Sequence, residues 1–300
     1  MDSATPIYLC GPTASGKSSL AIALARRLGG EIVNADAYQL YRGLELLTAA
    51  PSPDELGCVP HHLYGVLSAD ETCDAMRYRE MALPVIEEIV SRGAVPIVAG
   101  GSGLYLKFLT HGPSPLPTGD PAYRKTLEEK SIEELATRLQ SLDPVEAART
   151  DLQNRRYLTR ALEICELSGQ RCSDLRDRWE TITRDVSAGL RGIFIQRERA
   201  DLHQRINLRT VEMLDQGAIE EVSGLADASA TFGKAIGFQE IHQLIDGKID
   251  RNECIERIRA ATRQYAKRQE TWFRRESWLK PLIWPPTAPI PLDQALELVS

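Results

Sequence analysis

The chain has 300 residues, 43% hydrophobic and 26% charged, a globular composition long enough for about two domains, which excludes intrinsic disorder and collagen-like structure. No stretch reaches the roughly 18 apolar residues of a membrane span, Met1–Pro6 lacks the basic and long apolar regions of a secretory signal, and the six cysteines are scattered with no CxxC pair, so the expectation is a cytoplasmic protein with reduced thiols and no zinc or disulfide framework. A net charge of −6 excludes a purely electrostatic nucleic-acid coat, yet Arg251–Lys280 holds nine Lys/Arg against four Glu, a basic stretch in an acidic chain.

Ile7–Cys10 is a short apolar run ahead of Gly11 and predicts a buried strand. Leu20, Ala21, Leu24, Ala25 and Leu28 mark one face of a helix over 17–28, stopped by Gly29 and Gly30. Glu31–Asp36 predicts a second strand, 76–92 a helix, and Val95–Ala99 a third strand closed by Gly100, Gly101, Ser102 and Gly103. Strands alternating with helices predict a parallel sheet with helices on both faces. After His111 the texture changes. A Pro-rich loop, Gly112–Pro117, leads into helical periodicity from about Pro121 to Arg178, with faces at Ile132, Leu135, Ala136 and Leu139 and at Leu158, Ala161, Leu162 and Cys165. Gly192–Ile195 returns as a strand, helices follow near 200–216, 219–225 and 252–275, and Leu282–Trp284 adds a last strand. The expected organisation is a core over 1–112, a helical insertion over 113–185 and a resumed core over 186–300.

Gly11, Pro12, Thr13, Ala14, Ser15, Gly16, Lys17 and Ser18 fit GxxxxGK[ST] between a strand and a helix, the context of a nucleotide- or ATP-binding phosphate loop. Such a loop turns backbone N–H groups and a helix N-terminus onto phosphate oxygens; Lys17 supplies a charge and the Ser18 hydroxyl can bind Mg²⁺. The motif says polyphosphate and not which one. The Val95–Ala99 strand ends without a carboxylate, whereas Asp36 ends the second apolar strand. At the carboxyl edge of a parallel sheet, Asp36 faces the ligand crevice, which suits a general base or a metal contact.

These residues resemble the tRNA dimethylallyltransferases, or isopentenyltransferases. The resemblance is carried by Gly11–Lys17, by Asn34–Gly43 with Asp36, Gln39 and Tyr41, by His61, His62 and Leu63, and by Pro96–Tyr105. It continues through Asp143–Pro144, Arg160–Glu163, Leu202–Ile206, Ala235–Phe238 and Thr262–Phe273, in the family's order from about residue 7 to 275. The family transfers a dimethylallyl group from its diphosphate to N6 of the adenosine 3′ of the anticodon in tRNAs reading codons that begin with U. The implied fold is an α/β P-loop NTPase-like core with a small all-helical insertion that clamps the anticodon stem-loop. By matching position, Asp36 is the expected general base for the N6 proton, and Lys17, Arg205 and Ser102 complete the catalytic set. The loop from Gly11 to Ser18, with Arg205, would hold the diphosphate, and Ser18 would bind Mg²⁺. Asp36, Ala37, Tyr38, Gln39, Ser102, Arg124, Arg156, Arg160, Lys234, Gly237, Phe238, Arg263, Lys267 and Arg268 fall where the family contacts tRNA. The expected partners are tRNA and dimethylallyl diphosphate, for a monomer without membrane contact.

At about 100° per residue, Ile255, Ile258, Thr262, Tyr265, Gln269, Trp272 and Phe273 share one helix face, and Arg259, Arg263, Lys267 and Arg274 one flank. The flank suits RNA phosphates. A target base leaving its stack needs a stacking partner, and Tyr38, Tyr41 and Phe238 are the candidates. Where the family usually reads I-G-T-A-K-P, this chain has Leu46-Leu47-Thr48-Ala49-Ala50-Pro51, and Tyr64 stands in place of the aspartate after His61-His62-Leu63; these departures are expected near the acceptor side rather than the phosphate side. His61 and His62 read as structural. Rival readings are an enzyme prenylating free AMP, ADP or ATP, a P-loop small-molecule kinase, and a non-catalytic RNA-binding relative.

Overall fold

A computed structural model of the chain describes residues 5–225 and 232–300. Strands β1 (Ile7–Cys10), β2 (Gly30–Asn34), β3 (His61–His62), β4 (Val95–Gly100), β5 (Arg191–Gln196) and β6 (Leu279–Ile283) form one sheet in the order β3-β2-β4-β1-β5-β6, every pair parallel. The side-chain period of two splits the strands between two cores. Tyr8, Cys10, Val33, Val98 and Phe194 point into one, and Ile7, Leu9, Ile32, Ile97 and Ile193 into the other. Burial on both faces is why these strands read as unbroken apolar runs.

Register decides what meets at the carboxyl edge. Cys10 lies opposite Gly100, and Asn34 opposite Ala99. The segments that leave β1, β2 and β4 therefore start level with one another, and those segments hold Gly11–Ser18, Asp36 and Gly101–Ser102.

Local chemistry sets the crossover helices. Lys17–Leu28 ends on Gly29 in the left-handed region, Ala75–Ser91 starts on Asp74, whose carboxylate accepts the N–H groups of Met76 and Arg77, and Arg251–Phe273 starts on Asp250, which accepts from Glu253. The helix Arg251–Phe273 buries Ile255, Ile258, Thr262, Gln269 and Phe273 as its periodicity predicts, together with Cys254 and Ala266; Tyr265 is half-buried and Trp272 stays 40% exposed.

Strand β3 escapes sequence reading because it is two polar residues long. His62 Nε2 lies 2.6 Å from Glu31 Oε2, and Arg92 grips the same carboxylate at 2.7 Å through Nε and 2.6 Å through Nη2. The Arg92 hydrogen bond holds the Glu31 carboxyl down to about 2. His61 Nδ1 sits 2.8 Å from the Val59 carbonyl. The histidine pair thus anchors an edge strand.

The residues fall into two units, Met1–Thr110 with Gly189–Ser300, and His111–Ala188. The second consists of helices Pro121–Glu128, Ile132–Leu142, Pro144–Arg149, Arg155–Ser168 and Cys172–Ser187 around Leu127, Leu135, Leu139, Leu158, Leu162 and Leu175. Among its described residues Asp143, Glu146 and Glu163 are buried carboxylates, and Glu163 is held by Arg124 at 2.9 and 3.0 Å and by Arg160 at 2.6 Å.

Candidate active site

The segment after β1 closes on itself. Ser15 N–H donates to the Pro12 carbonyl (3.2 Å), and Ala14 and Gly16 take φ of 64° and 97°. A side chain at Gly16 would be strained by that φ and would also press on the Trp284 ring. Lys17 Nζ donates to the carbonyls of Gly11 (3.0 Å) and Pro12 (2.8 Å). Ser15 Oγ is buried and finds no hydrogen-bond partner among the described residues.

Arginines of one helix brace the loop from outside. The helix Arg199–Asp215 brings Arg205 Nε to the Ala14 carbonyl (2.8 Å) and Arg209 Nη2 to Thr13 Oγ1 (2.6 Å). Just before it, Arg197 donates to the Ser15 carbonyl (2.7 Å), with its guanidinium 4.2 Å from the Trp284 ring centroid. Arg209 was missed in the sequence, although it lies four residues after Arg205 and so on the same helix face.

Asp36 sits in a turn fixed at several points. Asn34 Oδ1 accepts the Asp36 N–H (2.8 Å), Asp36 Oδ1 accepts the Tyr38 N–H (3.2 Å), and Ser102 Oγ accepts the Ala37 N–H (2.9 Å). Ser102 therefore holds the turn that carries Asp36. Gln39 Nε2 donates to the carbonyls of Thr48 (3.0 Å) and Ala49 (2.9 Å), pinning the opposite wall.

Two cavities meet at this turn. A polar one of about 610 Å³ is lined by Lys17, Ser18, Asp36, Ala50, Arg205 and Arg209, among others. A chamber of about 60 Å³ is lined by Tyr38, Leu47, Met213, Ile236, Ile258 and Tyr265, among others. Thr13, Asp36, Thr48 and Arg209 belong to both. Burial raises the Asp36 carboxyl above the ordinary carboxylate range, against the pull of Lys17. Burial lowers the Lys17 ammonium to about 8, with Asp36 opposing the shift. Burial also lowers Arg209. The result is a carboxylate made more basic beside a cluster of cations, an arrangement able to take a proton on one side while holding an anion on the other.

The remaining sequence-predicted residues divide. Tyr38 faces the chamber, and Tyr265, which was not singled out as a base partner, faces it too. Phe238 is buried against Phe232 and His242, and Tyr41 against Phe232; both are core residues rather than stacking partners. A buried aromatic and a cavity-lining one look alike in sequence. Gly237, with φ 98°, starts the helix Phe238–Ile245, and Lys234 is exposed. Arg263 donates to Asn207 Oδ1 (2.9 Å), while Lys267 and Arg268 are exposed. In the helical unit Arg124, Arg155, Arg156 and Arg160 line a groove of about 580 Å³. Ala50 and Tyr64 line the cavity of the phosphate loop, on the side opposite to that expected for these departures, and Leu47 lines the chamber.

The model of a family described as IPP transferase matches residues 39–276. The chain belongs to this family. It is 44% identical over 97% of its length to a tRNA dimethylallyltransferase of Akkermansia muciniphila, covering 96% of that protein. A Geobacter sulfurreducens tRNA dimethylallyltransferase is 41% identical, with 93% and 92% of the two chains covered. Among solved structures, the tRNA isopentenylpyrophosphate transferase of Bacillus halodurans superposes with a TM-score of 0.70 at 30% identity, covering 98% of this chain and 94% of that one. A eukaryotic dimethylallyltransferase acting on tRNA gives 0.77 at 26% identity, with 98% and 76% covered. As an IPP transferase, the chain has the α/β core of those structures.

Proposed function

We propose that this enzyme transfers a dimethylallyl group from dimethylallyl diphosphate to N6 of the adenosine 3′ of the anticodon, in tRNAs reading codons that begin with U. The carrying observation is Asp36, the carboxylate common to both cavities. The cationic cavity takes the diphosphate, and the chamber side receives the adenine. The N6–C1 bond forms as the C1–O bond to diphosphate breaks, and the N6 proton passes to Asp36. An exocyclic aromatic amine is a weak nucleophile, so a base of raised pKa in contact with it is useful. Lys17, Arg205 and Arg209 with the loop amides stabilise the charge gathering on the leaving diphosphate.

The residues fit a magnesium ion that arrives with its substrate. Among the described residues no cluster of three or more His, Cys, Asp or Glu forms a cage, but the exposed Ser18 hydroxyl and the Asp36 carboxylate line the diphosphate cavity. Magnesium keeps waters and phosphate oxygens as its other ligands. When bound there, it neutralises diphosphate charge. One chain supplies both cavities, and in this reading the enzyme works as a monomer in the cytoplasm. In this reading Arg124, Arg156 and Arg160 of the helical unit contact tRNA, and so, within the other unit, does Lys234.

The deciding experiment offers labelled dimethylallyl diphosphate and Mg²⁺ with either unmodified tRNA or AMP and ATP. Label on the adenosine 3′ of the anticodon is the expected result. Label on mononucleotide alone moves the enzyme to the free-nucleotide rival, and phosphoryl transfer from ATP to the kinase rival. The relatives and the family favour neither.

On the helix Arg251–Phe273 the exposed pair Lys267 and Arg268, rather than Arg263, supplies salt-sensitive contacts to the acceptor. Lys267→Ala with Arg268→Ala should raise the KM for tRNA by about tenfold and reduce the magnitude of the slope of log affinity against log salt by about 2. Filter binding across a salt series checks it; an unchanged slope would return both side chains to the solvent.

A further inference from the structure

Gln269 is a polar residue on the buried face of the helix Arg251–Phe273, 4% exposed. Its Oε1 accepts the Thr13 N–H at 2.8 Å, and its Nε2 donates to the Gly101 carbonyl at 3.0 Å. One partner only donates and the other only accepts, so the pair fixes the amide orientation and calls for a side chain that does both. A Cβ on Gly101 would overlap that amide, so the close approach requires glycine there.

Each end of this bridge leads to reacting groups. Thr13 lines both cavities and receives Arg209 on its hydroxyl. Gly101 precedes Ser102, whose N–H donates to the Ala35 carbonyl (3.2 Å) and whose hydroxyl holds Ala37. Ala35 and Ala37 flank Asp36. Gln269 itself lines neither cavity. Beyond the ends of β1, β2 and β4 the sheet register no longer sets spacing, and the bridge spans that gap.

We propose that Gln269 is a positioning residue that clips the phosphate loop to the Asp36 turn and so sets the distance between leaving diphosphate and base. The proposal rests on the reaction proposed above. A group that fixes spacing without touching substrate acts on kcat more than on KM, because misplacement of about 1 Å can cost about 10²-fold.

Gln269→Met keeps similar bulk and removes both hydrogen bonds. Its kcat should fall about 30- to 100-fold, with the KM for each substrate within about threefold. Amide hydrogen exchange at Thr13 should rise while neighbouring amides of the helix stay protected. Gln269→Glu keeps an acceptor for Thr13 and, when ionised, loses the donor to Gly101. Its Thr13 amide should stay protected while kcat falls, which assigns the loss to the Gly101 end. Unchanged kcat in Gln269→Met, or unchanged Thr13 exchange, overturns the clip, as does a loss confined to the KM for tRNA. The exchange measurement needs no turnover. A parent without transferase activity therefore refutes the reaction while the Thr13 amide still reports on the clip.

Discussion

Asp36→Asn is expected to lower kcat by about 10²- to 10⁴-fold, the usual contribution of a positioned general base. The substitution keeps the shape of the side chain and an oxygen for the Tyr38 N–H, so the turn survives and the loss belongs to the chemistry. Donor binding should not suffer. The carboxylate lies in the cavity with the phosphate loop, and removing its charge relieves repulsion of a diphosphate, so without Mg²⁺ and well below pH 8, where Lys17 stays charged, affinity should hold or tighten. Calorimetry with dimethylallyl diphosphate separates the two effects, and near-normal turnover would remove Asp36 as the base.

The pH profile carries the same logic. A base works only when ionised, so activity falls as pH drops through its folded pKa. Burial raises that pKa, and the acid limb of kcat/KM therefore lies above the ordinary carboxylate range. Lys17 must be charged to hold an anion, and burial has lowered it to about 8. The free enzyme should accordingly lose kcat/KM as pH rises through about 8. Asp36 supports the charged form of Lys17, so Asp36→Asn should move the alkaline limb of donor binding downward.

Much of the core was legible because its determinants are local. The strands at Ile7–Cys10 and Val95–Gly100 are apolar runs, the phosphate loop is contiguous, and Asp36 stands at a strand end. The helix Arg251–Phe273 announces its buried face by period. What sequence could not show was which side chains meet across the edge of the sheet. Arg209 and Gln269 reach Thr13 from 196 and 256 residues away. Gln269 sat among apolar positions on the predicted face, and that misfit was the available signal, since a polar group buried there needs partners. Phe238 and Tyr41 went to the core because their chemistry suits either fate. Ala50 and Tyr64 lie beside the phosphate loop because the wall that Gln39 pins folds toward it. No periodicity encodes that fold.

Lys17→Met should reduce kcat/KM by about 10²- to 10³-fold, the scale for losing one group that stabilises developing negative charge. In the free enzyme the ammonium is occupied with the Gly11 and Pro12 carbonyls, which keeps it poised at the loop mouth. Its lowered pKa makes the role measurable without turnover. Near pH 8 about half of the free enzyme holds Lys17 neutral. A diphosphate against Nζ favours the charged form, so binding must draw in a proton. Calorimetry with dimethylallyl diphosphate, which is fully ionised at pH 8, in buffers of different ionisation enthalpy at that pH should show uptake approaching about half a proton per site. The uptake should fade at pH 6, where Lys17 is already charged, and vanish in Lys17→Met, whose weaker binding remains with Arg205, Arg209 and the loop amides. Equal uptake in parent and variant would assign the proton to another group and leave Lys17 as a brace for the carbonyls of its own loop.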